Sequence, residues 1–371
     1  MNNAERTTDN TYRVIIAGGG TGGHLFPGIA IANEFRKRFE NIEILFVVGK
    51  KRMEAEIISR AGYSVRSIDV EGMLGKGIVR GMKALSKLVV SSFQSFGILH
   101  RFKPHLAVGV GGYSSGPLCL MAWVYGIPAA IHEQNSYPGL TNRLLSAFVK
   151  KIFISFEQSG KYFKGKPTVF TGNPVREDLR GIKPPARKNH GRFVILVMGG
   201  SQGAHAINRA VVDALKELKG EGFFPAAIHQ TWNIDLETGL EGYRRHGIEG
   251  EVKPFIGDMA SAYAMADLVI CRAGATTIAE LAALGKPSIL IPFPHATHDH
   301  QTMNANSLVR AGAADLILQK DLTGSVLAEK IKEYMLNADE LEKMSSRAFK
   351  AGRPLAAELI VDHLIELMHE D

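Results

Sequence analysis

Two matching segments constrain the fold of this chain more than any other feature of its sequence. In the first half, apolar residues 14–17 lead into a glycine-rich loop at 18–24, and a helical pattern follows. In the second half, residues 193–198 lead into a similar loop at 199–205. Such loops bring the backbone close to a ligand, and the free N–H groups that start the next helix attract negative charge. We therefore predict two similar units that face one ligand, with phosphate or diphosphate as its anionic group.

The chain has 371 residues, which is more than one hydrophobic core usually supports, so two domains are expected. Apolar strands alternate with helical segments in both halves, which predicts parallel sheets covered by helices on both faces. Proline and glycine interrupt this pattern between residues 171 and 188. We accordingly predict an α/β protein with domains at 12–174 and 175–353, and a final amphipathic helix at 354–371 that packs back on the first domain.

Cysteine usage and hydropathy indicate the compartment. Cys119 and Cys271 lie far apart in apolar runs, which argues against a disulfide framework and fits a reducing environment. The first ten residues are polar, and no apolar run reaches the roughly 18 residues of a spanning helix. We expect a protein that stays in the cytoplasm.

The net charge of +7 is concentrated in one stretch, since no acidic residue occurs between Glu71 and Glu133. A helix that covers the sheet and turns a basic face to water is the ordinary explanation. The missing acids and two phenylalanines favour contact with an anionic membrane surface instead. Nucleic acid is not expected as a partner, because the stretch has no recognised nucleic-acid motif. The predicted membrane residues are Lys76, Arg80, Lys83, Lys87, Phe93 and Phe96.

The first glycine loop satisfies the dinucleotide pattern G-x-G-x-x-G, which is weak evidence by itself. NAD is disfavoured, because Val48 is followed by glycine and basic residues rather than by the acid that would hold a ribose, although NADP stays open. His24 stands at the start of the next helix, where the positive helix end favours a neutral imidazole that could act as a general base. The alternative is a histidine that caps the helix.

Polar residues also follow other predicted strands, at the sheet edge where ligands of parallel sheets bind. His132, Glu133 and Asn135 follow one strand, and Ser136 stands where a zinc-helix motif would need its second histidine. Glu280 could hold a ribose diol or stabilise a helix dipole, and Ser201 could bind phosphate or cap a helix. A histidine-rich loop at 295–300 fits sugar contacts at least as well as a metal, so no metal site is predicted.

Six segments taken together, in order, resemble the MurG family of peptidoglycan glycosyltransferases. The resemblance implies a GT-B fold, in which two Rossmann-like domains with parallel sheets are separated by a cleft. It also implies inverting transfer of N-acetylglucosamine from UDP-N-acetylglucosamine to the 4-hydroxyl of the muramyl sugar of undecaprenyl-diphosphate-linked lipid I, giving lipid II at the cytoplasmic face of the inner membrane. No cofactor is implied. The segments are 18–24, 111–117, 132–135, 172–176, 199–203 and 272–275.

The same resemblance implies site residues. His24 is the preferred general base, with His132 and Glu133 as alternatives. Another lipid acceptor on the same fold, or a noncatalytic nucleotide-sugar-binding scaffold at the membrane, are the competing hypotheses. The implied donor contacts are Thr21, Gly22, Gly23, Asn135, Arg176, Ser201, Ile256, Ala275, Thr276, Thr277, Ile278, Ala279, Glu280 and Gln301.

Overall fold

The computed structural model describes residues 11–20, 22–50, 52–70, 78–180, 191–200 and 204–369, with the backbone alone for 78–85. Within these ranges, thirteen strands form two parallel sheets, one in each half of the chain. The strands are β1 Tyr12–Ala17, β2 Ile42–Val48, β3 Ser64–Ser67, β4 Leu106–Gly109, β5 Ala129–Glu133, β6 Lys151–Ile154, β7 Thr168–Phe170, β8 Val194–Met198, β9 Ala226–Gln230, β10 Gly250–Lys253, β11 Leu268–Cys271, β12 Ser288–Leu290 and β13 Asp315–Leu316.

Helices connect the strands and cover both sheets. They are α1 Gly22–Arg38, α2 Arg52–Arg60, α3 Ile78–Phe102, α4 Ser115–Val124, α5 Leu140–Leu145, α6 His205–Gly220, α7 Trp232–His246, α8 Met259–Met265, α9 Ala275–Leu284, α10 His300–Arg310, α11 Gly324–Leu336, α12 Ala338–Ala351 and α13 Ala356–His369. Among the described helices, none combines the length and the apolar character that crossing a bilayer requires.

The two sheets share one strand order. The first runs β3-β2-β1-β4-β5-β6-β7 and the second runs β10-β9-β8-β11-β12-β13, so the first strand of each half lies between its second and fourth. Neighbouring strands in both sheets are parallel. The reversal of strand order beside β1 and β8 opens a crevice at the carboxyl ends of these strands. The predicted fold class, two parallel α/β domains, is confirmed.

Successive side chains along each central strand point to opposite faces of the sheet. In β1, Val14 and Ile16 join the core beneath α1 and α13, while Ile15 and Ala17 join the opposite core beneath α3 and α4. In β8, Ile195 and Val197 face α6 and α11, while Leu196 and Met198 face α8 and α9. Apolar residues fill both faces because neither face meets water.

Helix α13 belongs spatially to the first half of the molecule. Its residues Ile360 and Leu364 are fully buried in the same core as Val14 and Phe35. Arg38 on α1 donates to Asp362 Oδ1 at 2.8 Å, which anchors the outer side of the helix. The last helix thus completes the first core, after the chain has built the second sheet.

Candidate active site

Loops from both halves meet at the carboxyl ends of the central strands. Asn304 on α10 is fully buried and donates through Nδ2 to Asn135 Oδ1 at 3.2 Å, while its Oδ1 accepts from the Ser136 backbone at 2.8 Å. Thr276 on α9 donates to the Gly23 carbonyl of α1 at 3.3 Å. The crevices of the two sheets therefore face one another across a single cleft.

The contact between Thr276 and Gly23 depends on a proline. The Gly23 carbonyl would normally accept from the backbone four residues later, but that residue is Pro27, which lies inside α1 and has no N–H. The threonine hydroxyl from the second half supplies the donor that the helix lacks. The start of α1 is thereby linked to the start of α9.

The first glycine loop packs tightly on the glycine turn that follows β4. A Cβ at Gly112 would lie 2.2 Å from the Gly19 carbonyl oxygen, and one at Gly111 would lie 2.7 Å from His24 Nδ1. Gly111 and Gly112 also have φ angles of +90° and +79°, which side-chain-bearing residues rarely adopt. These glycines therefore let the two loops touch and let the His24 ring lie against the second loop.

His24 lies in the first turn of α1, half-buried at the cleft. Its Nδ1 lies 2.9 Å from Gln134 Oε1. In the part of the chain that the structure describes, no group is within hydrogen-bonding distance of its other ring nitrogen, Nε2. Among the described residues, that nitrogen is therefore free to contact a ligand.

His132 is fully buried, and both of its ring nitrogens have protein partners. Nδ1 lies 3.0 Å from Gln134 Nε2, and Nε2 lies 3.2 Å from the Gly172 carbonyl and 3.1 Å from Ser155 Oγ. Burial lowers the pKa of His132 to about 4, with a smaller effect in the same direction from His24. Its imidazole is therefore neutral near pH 7 and part of the internal hydrogen-bond network.

Glu133 is likewise occupied by the protein. Its Oε1 accepts from the Asn135 backbone at 2.9 Å, and its Oε2 accepts from the Gly139 backbone at 3.0 Å and from Asn142 Nδ2 at 2.9 Å. The side chain is 2% exposed. These contacts make it the centre of the loop that follows β5, so its carboxylate shapes that loop and holds Asn135 at the cleft.

In the second half, Glu280 is buried beside Tyr263, whose hydroxyl donates to Glu280 Oε2 at 3.0 Å. Burial raises the pKa of Glu280 to about 7, although the Tyr263 hydrogen bond and the nearby charge of Arg176 oppose the rise. The Arg176 guanidinium is held by Asp178 at 2.6 and 3.1 Å and lies 5.5 Å from the Phe26 ring. A carboxylate and a guanidinium from different parts of the chain thus converge on one side of the cleft.

Two further predicted donor residues have backbone contacts at the cleft. The Ile256 N–H donates to Gln230 Oε1 at 2.9 Å, so its carbonyl is the backbone group that can meet a ligand. Gln301 Oε1 accepts from the Phe293 backbone at 2.9 Å, which fixes the amide and leaves its NH₂ group for a ligand. The predicted residues Thr21 and Ser201 lie outside the described residues.

The run 275–280 divides between two faces of α9. Ala275, Ile278 and Ala279 line a cavity of about 200 Å³ between the halves, on the side of Asn173. Thr276 contacts Asn173 as well as Gly23, and Glu280 makes the contact with Tyr263 described above. The side chains of the first three residues therefore do not converge with Glu280, and a ligand at the cleft would meet them through their backbone.

The predicted membrane stretch forms helix α3. Phe93 and Phe96 on it are 74% and 47% exposed, and Lys87 forms an ion pair of 3.4 Å with Asp69. Trp123 on the neighbouring α4 is also 53% exposed. Lys76 lies outside the described residues, as do the side chains of Arg80 and Lys83.

Several residues that organise the site carried little signal in the sequence. Gln134 and Asn304 stood inside polar segments without an assigned role, and their buried contacts depend on distant parts of the chain. Tyr263 lies within an ordinary amphipathic segment. Among the described residues, no group of three or more histidine, cysteine or acidic side chains is arranged to hold a metal ion.

Comparison with known proteins gives a consistent result. Residues 14–154 match the glycosyltransferase family 28 N-terminal domain, and residues 194–360 match the glycosyltransferase family 28 C-terminal domain. A protein of Syntrophus aciditrophicus (strain SB) is 48% identical over 358 residues, covering 96% of this chain and 99% of its own length. A protein of Myxococcus xanthus (strain DK1622) is 46% identical, with coverages of 96% and 93%. Both are named UDP-N-acetylglucosamine--N-acetylmuramyl-(pentapeptide) pyrophosphoryl-undecaprenol N-acetylglucosamine transferase.

Solved structures show the same relationship. The crystal structure of MurG from Acinetobacter baumannii has a TM-score of 0.78 and 31% identity, and the match covers 96% of this chain and 99% of that one. A UDP-GlcNAc 2-epimerase from Neisseria meningitidis, bound to UDP-GlcNAc, has a TM-score of 0.64 at 14% identity, with coverages of 95% and 100%. The second match shows a shared fold alone.

Proposed function

The chain belongs to the MurG family of glycosyltransferases, and from that membership we propose that it transfers N-acetylglucosamine from UDP-N-acetylglucosamine to lipid I. The acceptor is the 4-hydroxyl of the muramyl sugar on an undecaprenyl diphosphate, and the product is lipid II. The observation that carries this proposal is the 48% identity to a transferase of that name over nearly the whole of both chains. The two-domain cleft with polar groups from both halves provides the site.

The chemistry needs one base and one stabilised leaving group. As the acceptor oxygen attacks C1 of N-acetylglucosamine, its proton passes to His24 Nε2 and the bond between C1 and the diphosphate oxygen breaks. UDP leaves with the electron pair of that bond, and the configuration at C1 inverts. His24 suits the base role because it lies at the cleft and its Nε2 has no partner among the described residues, whereas His132 and Glu133 are buried in protein contacts.

The second half supplies the donor subsite in this proposal. Glu280 Oε1 and Oε2 would accept from the ribose hydroxyls, and the Ile256 carbonyl would accept from the uracil N–H. Arg176 and Ser201 would stabilise the charge of the departing diphosphate. Gln301 and Asn135 would bind hydroxyls of the transferred sugar, and the backbone of 275–280 would follow the nucleotide.

The first half supplies the acceptor subsite. Residues 12–174 and 175–353 are the two proposed domains, with 354–371 returning to the first. Gly22 and Gly23 start helix α1, so their N–H groups would suit the acceptor diphosphate as well as the donor, and Thr21 is proposed to bind there too. In this proposal His24 would lie between the two substrates.

A substrate assay tests the proposal directly. The purified protein is incubated with UDP-N-acetylglucosamine and a soluble lipid I analogue, and in parallel with UDP-galactose and diacylglycerol. We expect a disaccharide product in the first reaction alone. Galactose transfer without N-acetylglucosamine transfer would instead identify a lipid galactosyltransferase, and UDP binding without any product would identify a binding scaffold.

Replacing the general base should separate turnover from donor binding. We expect His24→Ala to lower kcat by about a hundredfold or more, as loss of a general base does, while UDP affinity stays within about twofold. His205→Ala is a matched control, because His205 is also in the first turn of a helix but pairs with Asp235 at 2.8 Å, and we expect its kcat to stay near that of the wild type. Initial rates and UDP titration calorimetry measure both quantities, and an unchanged kcat in His24→Ala would remove His24 from the base role.

Membrane contact through α3 is the second part of the proposal, at the cytoplasmic face where the acceptor lipid is offered. The exposed rings of Phe93 and Phe96 would enter the interface, and the basic side chains would face anionic headgroups. Replacing Lys76, Arg80, Lys83 and Lys87 by Gln should weaken binding to phosphatidylglycerol vesicles by about tenfold or more at low salt, because each basic residue near the surface contributes about 1 kcal/mol.

The control variant has the same change in net charge at a different place in the chain. Replacing Lys253, Lys320, Lys343 and Lys350, all exposed in the second half, removes the same charge. Vesicle sedimentation across a salt series should show near-normal binding for this control and a flatter salt dependence for the first variant. Equal vesicle binding by the two variants would mean that the basic stretch is an ordinary solvent-exposed helix face and does not contact the membrane.

A further inference from the structure

A single buried glutamine connects the two histidines of the cleft. Gln134 is 1% exposed and stands between His24 on α1 and His132 on β5. Its Oε1 lies 2.9 Å from His24 Nδ1, and its Nε2 lies 3.0 Å from His132 Nδ1. The same Nε2 lies 2.9 Å from the Val110 carbonyl. One amide therefore contacts both imidazoles and a strand-end carbonyl.

The Val110 carbonyl determines which way the amide points. A carbonyl oxygen can only accept, so the atom of Gln134 that faces it at 2.9 Å must be the NH₂ nitrogen. The reversed amide would bring two acceptors together there and would also face the His132 carbonyl at 3.3 Å with an oxygen. The oxygen of the amide is consequently the atom that faces His24.

The orientation of the amide in turn determines the proton position on His24. Gln134 Oε1 has no proton to give, so the 2.9 Å contact with His24 Nδ1 is a hydrogen bond only when Nδ1 carries the proton. In a neutral imidazole with a proton on Nδ1, the lone pair is on Nε2. Nε2 is the nitrogen that has no partner among the described residues.

His132 helps to hold the Gln134 amide in this orientation. Gln134 Nε2 donates to its Nδ1, so the proton of its neutral ring lies on Nε2 and points to the Gly172 carbonyl at 3.2 Å. Burial lowers the pKa of His132 to about 4, which keeps Nδ1 an acceptor throughout the neutral range. Glu133 lies next in sequence, but its carboxylate is held by the loop after β5, so it does not compete for Gln134.

We propose that Gln134 is a positioning residue that holds His24 in the tautomer with the proton on Nδ1, so that Nε2 is available as the base. The proposal rests on the transferase function for its effect on catalysis, but the tautomer itself is a property of the protein without substrate. Gly111 assists by lacking a side chain, because a Cβ there would lie 3.2 Å from Gln134 Oε1 and 2.7 Å from His24 Nδ1.

Nitrogen-15 NMR of histidine-labelled protein tests the tautomer directly, with the His24 signal assigned by its loss in His24→Ala. We expect the wild-type ring to be protonated on Nδ1 near pH 8. Gln134→Met, which keeps the length of the side chain and loses its hydrogen bonds, should shift the ring toward protonation on Nε2. Gln158→Met is the control, because Gln158 donates to Ser136 Oγ at 3.1 Å in the same region without contacting His24. A wild-type ring protonated on Nε2 would overturn the proposal, whether or not any variant folds.

Kinetics test whether Gln134 acts through His24. We expect Gln134→Met to lower kcat by about tenfold or more, as the loss of one or two buried hydrogen bonds predicts, with the KM for UDP-N-acetylglucosamine within about twofold. In the His24→Ala background the same substitution should change kcat by less than about twofold, because its target is gone. An equal loss in both backgrounds would show a general structural role and overturn the proposal.

The two experiments distinguish this inference from the proposed function. An Nδ1-protonated ring that shifts in Gln134→Met, together with no glycosyl transfer by the wild type, would support the tautomer and refute the transferase. Transfer that proceeds normally in Gln134→Met would overturn the positioning role and leave the transferase intact.

Discussion

Glu280 is an ionisable side chain in a place that disfavours its charged form. It is 9% exposed, it accepts from the Tyr263 hydroxyl, and burial raises its pKa from 4.5 to about 7. The folded chain therefore holds the proton more tightly than the unfolded chain does. The free energy of unfolding accordingly falls as the pH rises from about 4.5 to about 7, and it is lowest above that range.

Glu280→Gln should consequently stabilise the free protein and weaken its donor binding. At pH 8 we expect a higher free energy of unfolding by at most about 3 kcal/mol, since each pKa unit corresponds to about 1.4 kcal/mol. At pH 5 the difference should largely vanish, because the wild-type carboxyl is then protonated in the folded state. Urea unfolding at both pH values measures this difference.

The same variant should raise the KM for UDP-N-acetylglucosamine by about tenfold. The glutamine NH₂ group donates and cannot accept, so the side chain can no longer accept from both ribose hydroxyls. Glu329→Gln is the control, since Glu329 is an exposed glutamate on α11. Equal stability of Glu280→Gln and wild type at pH 8 would contradict the burial argument.

Single residues show where sequence reasoning reached its limit. The sequence predicts that the polar segment 132–135 follows a strand, because a continuous apolar run precedes it. In the structure, His132 and Glu133 are the last two residues of that strand, β5. The choice among His24, His132 and Glu133 stays open in the sequence, because it depends on partners 9 to 110 positions away. Gln134 is such a partner for His24, and Asn142 is one for His132 and Glu133. Periodicity reports which face a residue occupies and carries no information about such partners.

At the level of secondary structure, α13 is the element whose packing most affects the first half. Leu364 on it is fully buried in the core of the first sheet, whereas Leu359 on the same helix is 41% exposed. The two leucines have the same helix propensity, so a comparison between them isolates burial.

Leu364→Ala should lower the free energy of unfolding by about 2–5 kcal/mol, the cost of removing a buried leucine from a packed core. Leu359→Ala should change it by no more than about 0.5 kcal/mol. Urea unfolding followed by circular dichroism gives both values. Similar losses for the two variants would mean that α13 contributes little to the first core.

Most elements could be predicted, and the exceptions have physical causes. The apolar runs 12–17, 42–48, 226–230 and 268–271 predict strands with the bounds that β1, β2, β9 and β11 have, because each run is continuous and bounded by polar or glycine residues. The sequence does not predict strand β7, because three residues give no alternation, or helix α7, because Gly239 and Gly242 interrupt its pattern. The pattern predicts a helix that begins near Leu25, but α1 begins at Gly22, because two glycines give its first turn no helical signal.

At the scale of the whole molecule, polar contacts at the cleft help to join the two halves. Thr276 stands at the centre of one of them, donating to the Gly23 carbonyl at 3.3 Å and accepting from Asn173 Nδ2 at 3.4 Å. The hydroxyl therefore joins α1 and α9 to the segment that follows β7. Its loss should favour separation of the halves.

Thr276→Val keeps the shape of the side chain and removes its hydroxyl. One net hydrogen bond contributes about 0.5–1.5 kcal/mol, so the population with separated halves should rise by about two- to tenfold. Spin labels at exposed positions on α2 and α11 report the distance between halves by pulsed electron resonance. Thr277→Val is the control on the same turn, and an identical distance distribution in both variants would show that the Thr276 hydroxyl does not hold the halves together.

The two-domain arrangement could be predicted from the repeated strand, loop and helix pattern, but the contacts across the cleft could not. Pro27 is visible in the sequence as a helix interruption, yet its consequence is a free carbonyl that a residue about 250 positions later satisfies. Such a contact depends on how two independently formed sheets are juxtaposed. The strand pattern in the sequence predicts each sheet by itself, but it does not predict how the two sheets are placed relative to one another.

The position of α13 also affects how the protein is made. The ribosome releases the strands of the first sheet early, but the helix that covers Val14 and Phe35 emerges after every strand of the second sheet. Domains usually fold in the order in which they are synthesised. Here the core of the first half cannot be completed until residues 356–369 leave the exit tunnel, although the strands of that half are translated first.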